Sequence, residues 1–128
     1  LYNLAGISPQ LDPETLEGKP EVLIERENQG AFRDSGILCA FSSGYIDSEQ
    51  YEELFQASHD ELLEIGATVV ELERHFNNKR GMDADADELP YDLPDLEDAI
   101  SRYYELRGWN PDGTVPSDAI GAGATADD

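Results

Sequence analysis

The clearest pattern in the chain is Leu62, Ile65, Val69, Leu72 and Phe76, apolar positions recurring at intervals of 3, 4, 3 and 4 with Leu63 and Val70 alongside. That is the period of one helix face, so the stretch predicts an α-helix with this face buried. Both ends are marked. Ser58-His59-Asp60-Glu61 has the form of a capping box, and Gly81 follows Lys79 and Arg80 as it does past a helix C-terminus. Gly66, in the middle, costs about 1 kcal/mol relative to Ala, which predicts a second backbone packed close against it. Asp47 with Gln50 is another capping box, opening a shorter helix with Tyr51, Leu54 and Phe55 on one face. The run Val22-Leu23-Ile24 is ambiguous between strand and buried helix. The length and Glu content of Pro20 to Arg33 favour helix, ending near Gly30 or at Cys39. Pro94-Asp95 opens a last helix with Leu96, Ile100 and Tyr103 inward and Gly108 closing it.

The segments between are irregular. Leu1 to Lys19 carries Gly6, Pro9, Pro13 and Gly18 and reads as a connector, with a short helical turn after Asp12-Pro13. Met82 to Pro94 is a loop whose Asp83, Asp85 and Asp87 have a calcium-loop spacing. It lacks the glycine and the final glutamate that such a loop needs, so it reads as solvated acid. Asn110-Pro111-Asp112-Gly113 is a turn. The sum is a single all-α, multihelical domain over residues 1–128, with an irregular N-terminal connector, a loop at Cys39 and a disordered tail over 118–128.

Charge changes the picture. There are 29 acidic against 8 basic residues, net −21, which would repel a phosphate backbone or an anionic lipid surface, so neither nucleic acid nor membrane is expected as a partner. The hydrophobic content of 39% with helical period is not that of a disordered acidic tail. The acids are spread over almost every segment rather than gathered in one docking patch. Adaptation to a salty cytoplasm fits best, since the Debye length falls to about 3 Å at 1 M salt. It predicts a melting temperature that climbs with KCl; a flat profile would sink it. One cysteine excludes a disulfide framework and fits a reducing, cytoplasmic setting. The sequence begins at Leu1 and reads as a piece of a longer protein.

Candidate chemistry is sparse. His59 and His75 lack partners at metal-ligand spacing and read as surface or helix-end residues. No nucleophile-elbow, phosphate-loop or dinucleotide-binding motif is present. Cys39, in Asp34-Ser35-Gly36-Ile37-Leu38-Cys39, has no sequence-local base, so the chain holds no complete catalytic site.

Three segments together resemble one family. Asp34 to Phe41 resembles the D-x-x-G-L-C motif of tungsten-dependent aldehyde ferredoxin oxidoreductases. Leu72-Glu73-Arg74-His75-Phe76-Asn77-Asn78-Lys79-Arg80-Gly81-Met82, followed by Asp87-Glu88-Leu89-Pro90, is similar to its L-E-R-x-F-N-x-R-x-G-F…D-x-L-P segment. Tyr103-Tyr104-Glu105-Leu106-Arg107-Gly108-Trp109-Asn110, with Asp112-Gly113, resembles its closing Y-Y-x-L-R-G-W-D-x-x-G signature. The resemblance covers about residues 18 to 117 and points to the C-terminal helical region of that family.

The resemblance implies a parent enzyme that oxidises aldehydes to carboxylic acids and passes electrons to ferredoxin. Tungsten or molybdenum is held there by two molybdopterins beside a [4Fe-4S] cluster. It makes Cys39 one cluster ligand, Asp34 a pterin hydrogen-bond acceptor and Leu38 a backbone pterin contact, with no catalytic acid or base in this chain. Its partners would be the remaining domains of the parent chain, ferredoxin and an aldehyde, with a homodimer among the options. The isolated chain is expected to bind no cofactor and to be inactive. Two departures stand out: Ile37 occupies the motif glycine's place, with Gly36 one position early, and Asn28 stands where the family usually has aspartate. The competing reading is a free-standing acidic helical interaction module without cofactor.

Overall fold

The computed structural model describes residues 12, 14–39, 41 and 45–120. Among them are four α-helices and no strand: α1 (Lys19–Ser35), α2 (Ser48–Phe55), α3 (His59–Lys79) and α4 (Leu96–Arg107), with a 3-10 turn at Ala84–Ala86. The expected all-α architecture is what the chain adopts. α3 is the spine; α1 lies along it, α2 packs against it and α4 leans on α1.

Local chemistry explains most boundaries. Asp47 Oδ1 accepts from Gln50 N at 2.9 Å while Gln50 Oε1 accepts from Asp47 N, closing the first box. In the second, Ser58 Oγ accepts from Glu61 N and Glu61 Oε2 accepts from Ser58 N at 2.8 Å. Each box satisfies two otherwise orphaned amides. α3 closes as expected on Gly81, at φ 83°, with Met82 N donating to Asn77 O. α1 resolves the strand-or-helix ambiguity: Pro20 enters its first turn, where a missing amide costs nothing, and it runs to the cysteine stretch rather than stopping at Gly30. Ahead of it, Asp12 Oδ1 accepts from Glu14 N, but no helix follows until Lys19. Pro13 and the connector through residue 11 lie outside the described residues.

Two apolar clusters hold the helices together. Phe32 of α1, Tyr51 of α2 and Leu62 of α3 form the first, with Phe32 edge-on to Tyr51 at 5.6 Å. Tyr104, Trp109 and Val115 form the second, joined by Val70, Ile100 and Ile120. The tail is therefore described as far as Ile120, where Ala119 N donates to Pro116 O; residues 121–128 lie outside the description. Between the clusters α1 and α3 touch backbone to backbone, because a Cβ on Gly66 would overlap the Asn28 carbonyl. The close approach expected at Gly66 is there.

The expected buried face of α3 needs correction. Leu62 and Gly66 are buried, but Ile65, Leu72 and Phe76 are 49%, 41% and 57% exposed. The helix is rotated so that Leu62, Gly66 and Val70 face its neighbours. The periodicity marks an apolar arc wider than those neighbours cover, and the described residues fill only one side of it.

Candidate functional site

The stretch Asp34 to Cys39 begins inside α1 and turns out of it. Ile37 N donates to Asp34 O and Leu38 N to Arg33 O, both at 3.0 Å. These are the two bonds of a Schellman cap, whose left-handed position is normally glycine. Here that position is Ile37, at φ 58°, and its side chain is 93% exposed. The departure noted in the sequence is thus a real backbone requirement: the turn has not moved to Gly36, which is at φ −79°. A β-branched residue in this region is strained by about 1 kcal/mol. Gly36 serves a different purpose, since a Cβ there would run into the Phe55 ring.

The cap sorts the loop's side chains. Leu38 turns inward and packs on the Phe32–Tyr51–Leu62 cluster. Asp34, Ile37 and Cys39 stay exposed, as does Phe41 beyond them. The Leu38 amide is engaged by Arg33 O, which leaves its carbonyl for any ligand. Among the described residues no group of three or more His, Cys, Asp or Glu could hold a metal ion. The loop offers one thiol and one carboxylate outward, a part of a site rather than a whole one.

Behind the loop, α1 is gripped by Arg107 from the end of α4. Its Nη2 donates to Glu27 Oε2 and its Nη1 to Asn28 Oδ1, each at 2.7 Å, and its Nε reaches Tyr103 Oη at 3.2 Å. Tyr103 in turn donates to Glu27 Oε2 at 2.6 Å. Burial, and then this bond to a carboxylate, push the Tyr103 hydroxyl well above the usual phenol range. The guanidinium side chain is only 3% exposed, and a buried arginine is stable only when its donors are satisfied in this way. Asn28, the second departure, is thus an acceptor for Arg107.

The other signature residues meet at a second guanidinium. Arg74 of α3 donates from Nη1 and Nη2 to both oxygens of Asp87, at 2.9 and 2.6 Å, and from Nε to Gly113 O at 2.8 Å. It lies 5.1 Å over the Trp109 ring, and Tyr104 donates its hydroxyl to Asp87. Burial alone would raise the Asp87 carboxyl, but the hydrogen bonds from Arg74 and Tyr104 outweigh it and hold the carboxyl below its usual range. Burial, then the Asp87 hydrogen bond, push the Tyr104 hydroxyl up to about 12. Asp87, read from sequence as one more solvated acid, is the residue that reasoning missed. The only local signal was its place in the D-x-L-P segment. His59 begins α3, as its helix-end reading expected.

A helical domain with this loop, and with its signature residues knotted at two hydrogen-bonded arginines, belongs to the aldehyde ferredoxin oxidoreductase family. The family model described as "Aldehyde ferredoxin oxidoreductase, domains 2 & 3" matches residues 1–121. Among curated relatives, the tungsten-containing aldehyde ferredoxin oxidoreductase of Thermococcus kodakarensis is 29% identical over 135 residues, covering 88% of this chain and 22% of the relative. Its counterpart in Pyrococcus furiosus is 28% identical over 139 residues, covering 91% and 23%. The chain thus spans less than a quarter of the length of these relatives.

Proposed function

We propose that this chain is the part of a tungstopterin aldehyde:ferredoxin oxidoreductase that supplies one ligand of a [4Fe-4S] cluster and one edge of a pterin site. The observation carrying the reading is the sorting of the loop: Leu38, half-buried, packs on the Phe32–Tyr51–Leu62 cluster while Asp34 and Cys39 are exposed. That suits a group arriving from outside the described residues. Cys39 supplies one of the thiolates that such a cluster takes. The Asp34 carboxylate accepts from paired N–H donors on a pterin edge. Leu38 contributes its carbonyl, its amide being already engaged. When bound, the tungsten or molybdenum bis-pterin group supplies the oxidation of an aldehyde to a carboxylic acid, and the cluster relays electrons to ferredoxin. The partners in this reading are the other domains of the enzyme, ferredoxin and the aldehyde, with a homodimer as a further level of assembly.

A single cysteine kept reduced suits a reducing cytoplasm, and the net charge of −21 suits a salt-rich one. The test is Cys39→Ala in the complete enzyme. Loss of the visible charge-transfer absorbance, with less iron and acid-labile sulfide, is expected. Unchanged iron and sulfide would mean that Cys39 is not a ligand.

A further inference from the structure

We infer that Arg107 is a positioning residue for the Cys39 loop, acting through α1 although it lies at the far end of α4. This rests on the reading of that loop as a cluster and pterin contact. The argument is geometric. Glu27 and Asn28 are successive residues of α1, so their side chains leave the helix about 100° apart around its axis. One planar guanidinium holding both acceptors at 2.7 Å therefore fixes the rotation of α1 as well as its position along the axis. On its α3 side the same Asn28 is pressed through its carbonyl against Gly66, where no side chain intervenes. α1 is thus clamped at one level by Arg107 and Gly66 together.

From Asn28 the helix continues unbroken to Ser35, about 10 Å at 1.5 Å per residue. The Schellman turn that presents Cys39 follows directly. A rotation or slip of α1 at the clamp is carried to the loop as a rigid-body displacement, and a metal cluster responds to small changes in ligand placement and solvent access. Lysine in place of Arg107 would keep the charge but not the planar fork that reaches two acceptors at once.

The experiment uses the complete, cluster-loaded enzyme and compares Arg107→Lys with Arg74→Lys. The second variant breaks an equally well-bonded arginine that holds the loops at Asp87 and Gly113 rather than α1. Both are expected to lower the melting temperature. Only Arg107→Lys is expected to displace the EPR g-values of the reduced cluster and shift its midpoint potential, at unchanged iron per chain. Asn28→Ala, which removes one arm of the clamp and keeps the pair with Glu27, is expected to give a smaller displacement and covers the case in which Arg107→Lys does not fold. EPR and potential identical to wild type in Arg107→Lys and Asn28→Ala, or an equal displacement in Arg74→Lys, would overturn the inference. A wild-type enzyme with no cluster signal would instead remove the reading beneath it, and the inference with it.

Discussion

Arg74 and Arg107 are chemically the same device used for two purposes. Arg74 takes its acceptors from two loops, the carboxylate of Asp87 and the carbonyl of Gly113, and it stacks on Trp109. It sews irregular chain onto α3. Arg107 takes its acceptors from neighbouring residues of one helix and so fixes a helix that is already formed. The difference teaches where each would fail. Loss of the first frees loops from a helix, and loss of the second leaves all the helices formed but lets one turn.

The heaviest blow to the comparison is Gly66→Ala. Its methyl group meets the Asn28 carbonyl rather than a yielding side chain, so α1 must back away from α3 and from Arg107. We expect a loss of about 3 kcal/mol, read from the denaturant midpoint, with hydrogen-exchange protection falling in α1 more than around Arg74. Equal loss at both clamps would show that they are one cooperative unit.

Titration gives the Arg74 side a handle at each end of the pH scale. Asp87 has a depressed pKa in the fold, so its contribution is present above the ordinary aspartate value of 3.8 and is lost as pH falls through the lower folded value. Tyr104 has a raised one, so its contribution is complete below pH 10 and is lost as pH climbs through about 12. Asp87→Asn should flatten the acid limb of melting temperature against pH, and Tyr104→Phe the alkaline limb. If both limbs keep their slopes, the knot does not set them.

The smallest effect sharpens the loop itself. Ile37→Gly removes the left-handed strain and gives up almost no buried surface, while adding freedom to the unfolded chain. A net gain of about 0.5 kcal/mol is expected by thermal or urea unfolding. A loss would mean that the exposed isoleucine makes a contact worth more than the strain it carries.

How much of this was legible beforehand divides along the range of the interactions. Both capping boxes, the Gly81 stop and the close approach at Gly66 depend on residues a few positions apart or on one glycine's cost, and the sequence declares them. The strain at Ile37 was also visible, as a mismatch between a motif and one residue. The covered side of α3 was not, because a 3-4 period marks an apolar arc and says nothing about which part of it meets α1. Asp87 was hidden for a related reason. Among the acids of its loop only its place in the D-x-L-P segment distinguishes it, and its partners Arg74 and Tyr104 lie 13 and 17 residues away. Arg107 likewise reaches Glu27 across 80 positions.

The uncovered line of Ile65, Leu72 and Phe76 on α3 sets a condition on handling the chain in solution. In dilute buffer, molecules of charge −21 keep one another at a distance, since fields reach about 30 Å at 0.01 M salt. The same charge also strains each fold from within. Concentrated salt removes both effects together, and salts such as sulfate or phosphate go further by favouring apolar contact. The conditions in which the single molecule is most stable are therefore those in which its oily stripe is least protected from another copy. Solubility and stability will be found to pull the buffer in opposite directions.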